Sequence, residues 1–226
     1  MRHFAFLSLL FMVMLSFTSC IREESSAVNQ DRIFTEYELF YNANEDKTFA
    51  RATFKFSNVA GTKLDLTDPS KVLFNDQELT FNPLLAYYEK EFPGFVPNGT
   101  FKWTDLDGNE FINSIEIHSI GYAPGIDTIA RDAAFEMGWT GSPLLQNELV
   151  TVTINGENEL DAQIFTTNNV GAQSIILGKD KLSKLGAGPG TAYLDRSYLP
   201  GLTEKTGAGG IILGRYRPAN LSFQIK

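Results

Sequence analysis

Cysteine and histidine are almost missing from this chain of 226 residues, which has one cysteine, Cys20, and two histidines, His3 and His118. That scarcity removes disulfide staples, zinc centres built from several Cys and His ligands, and Cys–His nucleophilic catalysis. A Ser-His-Asp triad would rest on His118 alone, since His3 falls in the N-terminal apolar segment and no Gly-x-Ser-x-Gly elbow is present. Basic residues are also in deficit, 19 against 27 acidic ones. The imbalance argues against nucleic acid and anionic lipid surfaces as partners. Apolar runs of spanning length are missing as well, and helical periodicity is scarce.

What is present begins with a leader. Arg2 and His3 precede an apolar run from Phe4 to Phe17, broken only by Ser8 and Ser16. As a helix this run would reach about 21 Å, short of the roughly 30 Å hydrocarbon core, so it reads as the h-region of a signal peptide. It ends in Phe17-Thr18-Ser19-Cys20, which resembles the lipobox of bacterial lipoproteins, with Phe17 where leucine is usual. That resemblance implies cleavage after residue 19 and attachment of fatty acyl chains such as palmitate to Cys20, so that membrane lipid is the first expected partner. Arg22, Glu23 and Glu24 then resemble the surface-export signal of Bacteroidetes lipoproteins, which implies an outer-membrane protein facing the exterior; a solvated tether facing the periplasm is the alternative. Residues 25–31 are polar and aperiodic, so 20–31 is expected to be a lipidated flexible tether.

Loss of the leader, with Arg2, leaves 207 residues carrying 18 basic and 27 acidic side chains, a formal charge of −9. That length suits two domains of about 100 residues each. Their boundary is expected near Gly125, giving a first unit over 32–125 and a second over 126–226.

Apolar residues recur at period two. Tyr37, Leu39 and Tyr41 alternate, as do Ala50, Ala52, Phe54 and Phe56, with Asn42-Ala43-Asn44-Glu45-Asp46 as the turn between them. Two further hairpins are expected, Val72–Phe74 with Leu79–Phe81 around Asn75-Asp76-Gln77-Glu78, and Phe101–Trp103 with Phe111–Ile120 around Asp105–Asn109. Strands follow at 133–139, 149–154, 162–165, 174–177, 192–194, 211–216 and 221–225. Only 83–92 and 180–185 have helical spacing. The glycine-rich stretches 186–191 and 207–210 read as turns, because no helix follows to present its N-terminus to a phosphate. The fold class is therefore all-β: two tandem β-sandwiches of immunoglobulin or fibronectin III type, with Trp103 and Trp139 in their cores.

The strings Phe49–Phe54, Leu85-Ala86-Tyr87-Tyr88 and Gly214–Asn220 resemble uncharacterised Bacteroidetes surface lipoproteins with two immunoglobulin-like domains. The resemblance implies fold and location and brings no activity with it.

Candidate sites are few. Tyr87, Tyr88, Phe92 and Phe95 cluster around Pro93-Gly94 and form the candidate binding surface for a glycan or protein; core packing is the competing reading. Asp105, Asp107 and Asn109 supply the oxygens of a weak calcium candidate at spacing wrong for an EF-hand, and the turn between Trp103 and Phe111, which needs Asp-Gly chemistry in its own right, is the better account of them. Thr128, in Asp127-Thr128-Ile129, matches a signal resembling that for O-glycosylation in Bacteroidetes secreted proteins. No cofactor is expected. The sequence points to a non-enzymatic, lipid-anchored binding or adhesion module, with a carboxylate-dependent hydrolase and a structural spacer of an outer-membrane complex as rival readings.

Overall fold

The computed structural model describes residues 22–157 and 162–226. The expected signal peptide and Cys20 lie outside the described residues. The described chain is all-β, with one single-turn α-helix at Lys179–Leu182 and 3-10 turns at Ser25–Ala27 and Gln30–Arg32.

The alternation of the N-terminal third does what its period dictates. Ile33–Asn42 and Lys47–Phe56 pair antiparallel from Ile33↔Phe56 to Asn42↔Lys47. Ile33, Tyr37, Leu39, Ala50, Ala52 and Phe54 are buried on one face, and the charged residues between them fall on the other. Strand Gly210–Arg217 then lies parallel to Ile33–Asn42 over eight pairs, Gly210↔Thr35 to Arg217↔Asn42. Gly188–Tyr198, Glu148–Asn155 and Gln163–Thr167 extend the array, so one twelve-stranded sheet runs from Arg22–Glu24 at one edge to Gln163–Thr167 at the other.

One face of this sheet carries two cores side by side. Over the N-terminal strands packs a four-stranded sheet built from Lys71–Phe74, Gln77–Glu78, Asn98–Thr104 and Glu110–Glu116. It brings Phe74, Phe101 and Trp103 against Tyr37 and Phe54, with the Trp103 indole donating to Ser70 Oγ at 3.1 Å. Over the C-terminal strands packs a three-stranded sheet of Gly121–Tyr122, Phe135–Thr140 and Ser174–Leu177, setting Met137, Trp139 and Leu177 into a core with Val150, Val152 and Ile154. Both tryptophans are buried, as their positions in the alternation predict. Ile117 belongs to the first core and Ile120 to the second, whereas Ile212 returns to the first and Tyr216 packs against both. At Gly214 the sheets converge, since an added Cβ would lie 2.0 Å from the Glu116 carbonyl oxygen.

Several segments depart from expectation. Residues 25–31, read as a flexible tether, are docked on the body: Ser25 is fully buried, its Oγ accepts the Thr67 N–H at 2.9 Å, and the Gln30 amide donates to Ser25 O at 2.8 Å. Ahead of them Arg22–Glu24 pairs in parallel with Lys63–Asp65. Polar side chains here satisfy backbone groups of the body, a use that composition does not distinguish from solvation. Residues 83–92 form a turn and the strand Tyr87–Pro93, not a helix. Residues four apart share a face in either structure, and here the period was two. The Asn75-Asp76 hairpin closes on Gln77–Glu78, after which Thr80–Asn82 leaves for the large sheet and pairs with Tyr87–Pro93. Residues 188–191, read as a turn, lie within strand Gly188–Tyr198 and pair with Leu221–Ile225.

Candidate binding surface

Opposite the two cores, the large sheet presents the polar half of each alternation, and cross-strand pairing assembles it into one lattice. Arg51 Nε donates to Glu89 Oε2 at 2.5 Å and Arg51 Nη1 to Glu38 Oε2 at 3.3 Å. Glu38 Oε1 also faces Arg215 Nη2 at 2.7 Å, Lys55 Nζ donates to Glu36 Oε1 at 2.7 Å, and Arg217 grips both oxygens of Asp195 at 2.9 and 2.6 Å. Four cations meet four carboxylates, so the patch is electrically balanced. Asp195 raises the Arg217 guanidinium further above its already high range.

An aromatic residue sits inside this lattice. Phe40 shares the outer face with Glu36 and Glu38 and stacks on Phe49 at 6.0 Å between ring centres, while the Arg215, Arg217 and Arg51 guanidinium carbons lie 3.9, 5.7 and 5.9 Å from its ring. Guanidinium planes shield the ring from water and use its quadrupole. Beside it opens a hollow of about 290 Å³, with Arg51, Thr53, Glu36 and Glu38 of the two central strands along its middle, Tyr87 at one flank and Ile211 and Leu213 at the other. The Arg51 guanidinium also lies 5.5 Å from the Tyr87 ring. Burial, ahead of the opposing pull of Arg51, raises the Tyr87 hydroxyl, and its hydrogen bond to Glu89 commits its proton, so it offers a ligand its oxygen lone pairs. A floor of fixed hydrogen-bonding groups between an aromatic and an aliphatic flank suits a small, neutral, polyhydroxylated ring; the volume is below that of drug-sized sites.

The four aromatic residues singled out from sequence do not converge. Tyr87 lines the hollow. Tyr88 and Phe92 point the other way and pack on the first core, Tyr88 edge-on to Phe54 and Phe92 to Phe74, and the Tyr88 hydroxyl accepts the Leu66 N–H at 2.7 Å. Phe95 is exposed at the sheet end, covering Tyr41 and Tyr216. The alternation within Tyr87–Pro93 forces this split. Phe40, Arg51, Arg215 and Arg217 were not singled out. The signal was an aromatic residue at the wet phase of Glu36-Tyr37-Glu38-Leu39-Phe40.

Asp105 turns inward and both its oxygens are taken by Asn109, from N–H at 2.8 Å and from Nδ2 at 2.9 Å, while Asp107 and Asn109 are exposed. These residues close a hairpin around Gly108, which has positive φ, and no group of three metal-ligating side chains occurs among the described residues. Thr128 is half-buried in the short strand Thr128–Ile129, paired with Leu221–Ile225, so it belongs to the second core's wall rather than to a free linker. Arg22, Glu23 and Glu24 lie at the sheet edge.

His118 sits between the two cores. Its Nδ1 is 2.5 Å from Glu148 Oε1 and its Nε2 is 3.0 Å from Glu116 Oε1, while Tyr198 packs on the ring. Both ring nitrogens are engaged by carboxylates, so neither is directed at a hydroxyl nucleophile.

Among the described residues no helix is long and apolar enough to cross a membrane. No family model matches the chain, and no curated protein does. Among solved structures, a region of a 1.5-MDa bacterial ice-binding adhesin overlays at TM-score 0.24 and 10% identity, covering 88% of this chain and 66% of that one. A tetra-tandem repeat from the extending region of a large adhesion protein gives 0.26 and 13%, with 84% and 49% covered. The Escherichia coli alpha-2-macroglobulin gives 0.26 and 11%, with 85% and 14% covered. The chain thus spans less than two thirds of the first two, and overlays this loose assign neither relationship nor role.

Proposed function

We propose that this protein is a non-enzymatic, lipid-anchored module of the outer-membrane surface that holds a neutral sugar unit in the Tyr87 hollow. The observation that carries the reading is the charge-balanced floor held between an aromatic and an aliphatic flank. A charged ligand would have to break an existing ion pair to bind, whereas hydroxyl groups can use the remaining lone pairs of Glu36, Glu38 and Tyr87 while the ring lies between Tyr87 and the Ile211 and Leu213 side chains. The engagement of His118 by Glu116 and Glu148 weighs against a histidine-dependent hydrolase.

Screening the purified protein against an array of neutral and acidic glycans tests this. The expected result is retention of neutral glycans, weakened at least tenfold by Tyr87→Ala and unchanged by Ile164→Ala on the far edge strand. Retention insensitive to Tyr87→Ala, or of acidic glycans alone, would overturn it, as would polymer hydrolysis abolished by Glu38→Gln.

A further inference from the structure

The turn that joins Thr80–Asn82 to Tyr87–Pro93 holds two leucines out of the protein: Leu84 is 89% exposed and Leu85 48%. Adjacent exposed leucines make a contiguous apolar patch of the kind that an interaction can cover. This turn is rigid. Asn82 Oδ1 accepts the N–H groups of Leu84 and Leu85 at 3.1 and 3.2 Å, and the Ala86 N–H closes on Asn82 O at 2.8 Å. Its outer carbonyls are gripped by cations, Pro83 O by Arg22 Nη1 at 3.3 Å and Leu85 O by Lys63 Nζ at 2.8 Å.

Arg22 is the link to the proposed anchor. Because Arg22–Glu24 is a strand paired with Lys63–Asp65, no slack separates the body from Cys20, and two residue steps reach at most about 7 Å. The inference rests on acylation of Cys20. With acyl chains there, the bilayer surface lies within that reach of Arg22 and hence beside the turn it binds. We infer that Leu84 and Leu85 insert into the lipid interface next to the anchor and fix the orientation of the body on the membrane. Asp65, 3.6 Å from Arg22, and Glu24 offset the two cations, so a zwitterionic headgroup layer is the fitting surface.

The full chain, expressed in a bacterial host and reconstituted in phosphatidylcholine–phosphatidylethanolamine vesicles, provides the test. Acylation would block the Cys20 thiol, so Leu84→Cys and Ile164→Cys each supply a single site for an environment-sensitive fluorophore. Ile164 is exposed on the opposite edge strand, seven strand spacings or about 34 Å from Arg22–Glu24. Nitroxide-bearing lipid should quench the label at 84 at least threefold more than the label at 164. Equal quenching with an acylated N-terminal peptide in the mass spectrum overturns the membrane contact alone; an unacylated peptide overturns the anchor and the contact together. A label at 84 shielded from water yet unquenched by lipid would mean that a second copy covers the turn, and would also overturn the assignment.

Discussion

Arg196 and Glu148 form a two-bonded ion pair between the two cores, Nε to Oε1 at 2.9 Å and Nη2 to Oε2 at 2.5 Å, with side chains only 1% and 0% exposed. The pair is fully dressed: Arg196 Nη1 and Nη2 also donate to the carbonyls of Ser142 and Pro143, and Glu148 accepts from the Leu145 N–H. Removing Arg196 leaves the Glu148 charge buried with only His118 and the Leu145 N–H to offset it. Arg196→Met is expected to cost about 3–5 kcal/mol in urea unfolding, and the double replacement Arg196→Met with Glu148→Leu to recover most of that loss. A double variant as unstable as the single one would show that the pair does more than neutralise itself.

The same carboxylate sets an acid limit. Burial alone would raise the Glu148 carboxyl, but hydrogen bonds from Arg196, Leu145 and His118 outweigh it and hold the group below its ordinary value of 4.5. The folded chain therefore binds this proton less readily than the unfolded chain. Its contribution is complete above the unfolded value and is lost as pH falls through the folded one. Between pH 5 and pH 3, the stability advantage of the wild type over Glu148→Gln should shrink steadily, as read by denaturant unfolding at each pH.

A gain is expected at the Asn75-Asp76 turn, where both residues have positive φ, 47° and 61°. That geometry favours glycine at the second position. Asp76→Gly should stabilise the hairpin by about 0.5–1 kcal/mol, seen as a raised urea midpoint with an unchanged slope.

The convergence at Gly214 predicts the opposite. A methyl group there meets the Glu116 carbonyl oxygen, which is backbone and cannot rotate aside. Gly214→Ala should cost about 2–3 kcal/mol, measured by thermal or urea unfolding.

The strands were legible because half-buried sheets write their burial at period two, which is why Tyr37-Glu38-Leu39 and Val150-Thr151-Val152 read correctly. What period two does not encode is which strand lies beside which. The parallel pairing of Gly210–Arg217 with Ile33–Asn42 joins residues about 175 positions apart, and nothing local to either marks the other. The binding surface was half legible for the same reason. Tyr87 could be named from its exposure-prone neighbourhood, but Arg51, Arg215 and Phe40 become one site only after three strands are set in register.

The placement of Gly210–Arg217 at the middle of the large sheet also fixes an order of events during synthesis. Until that segment emerges, the hydrogen-bonding edge of Ile33–Asn42 that it will occupy has no native partner, however complete the N-terminal hairpins are. A chain released before that segment is made keeps an open edge that other chains can join.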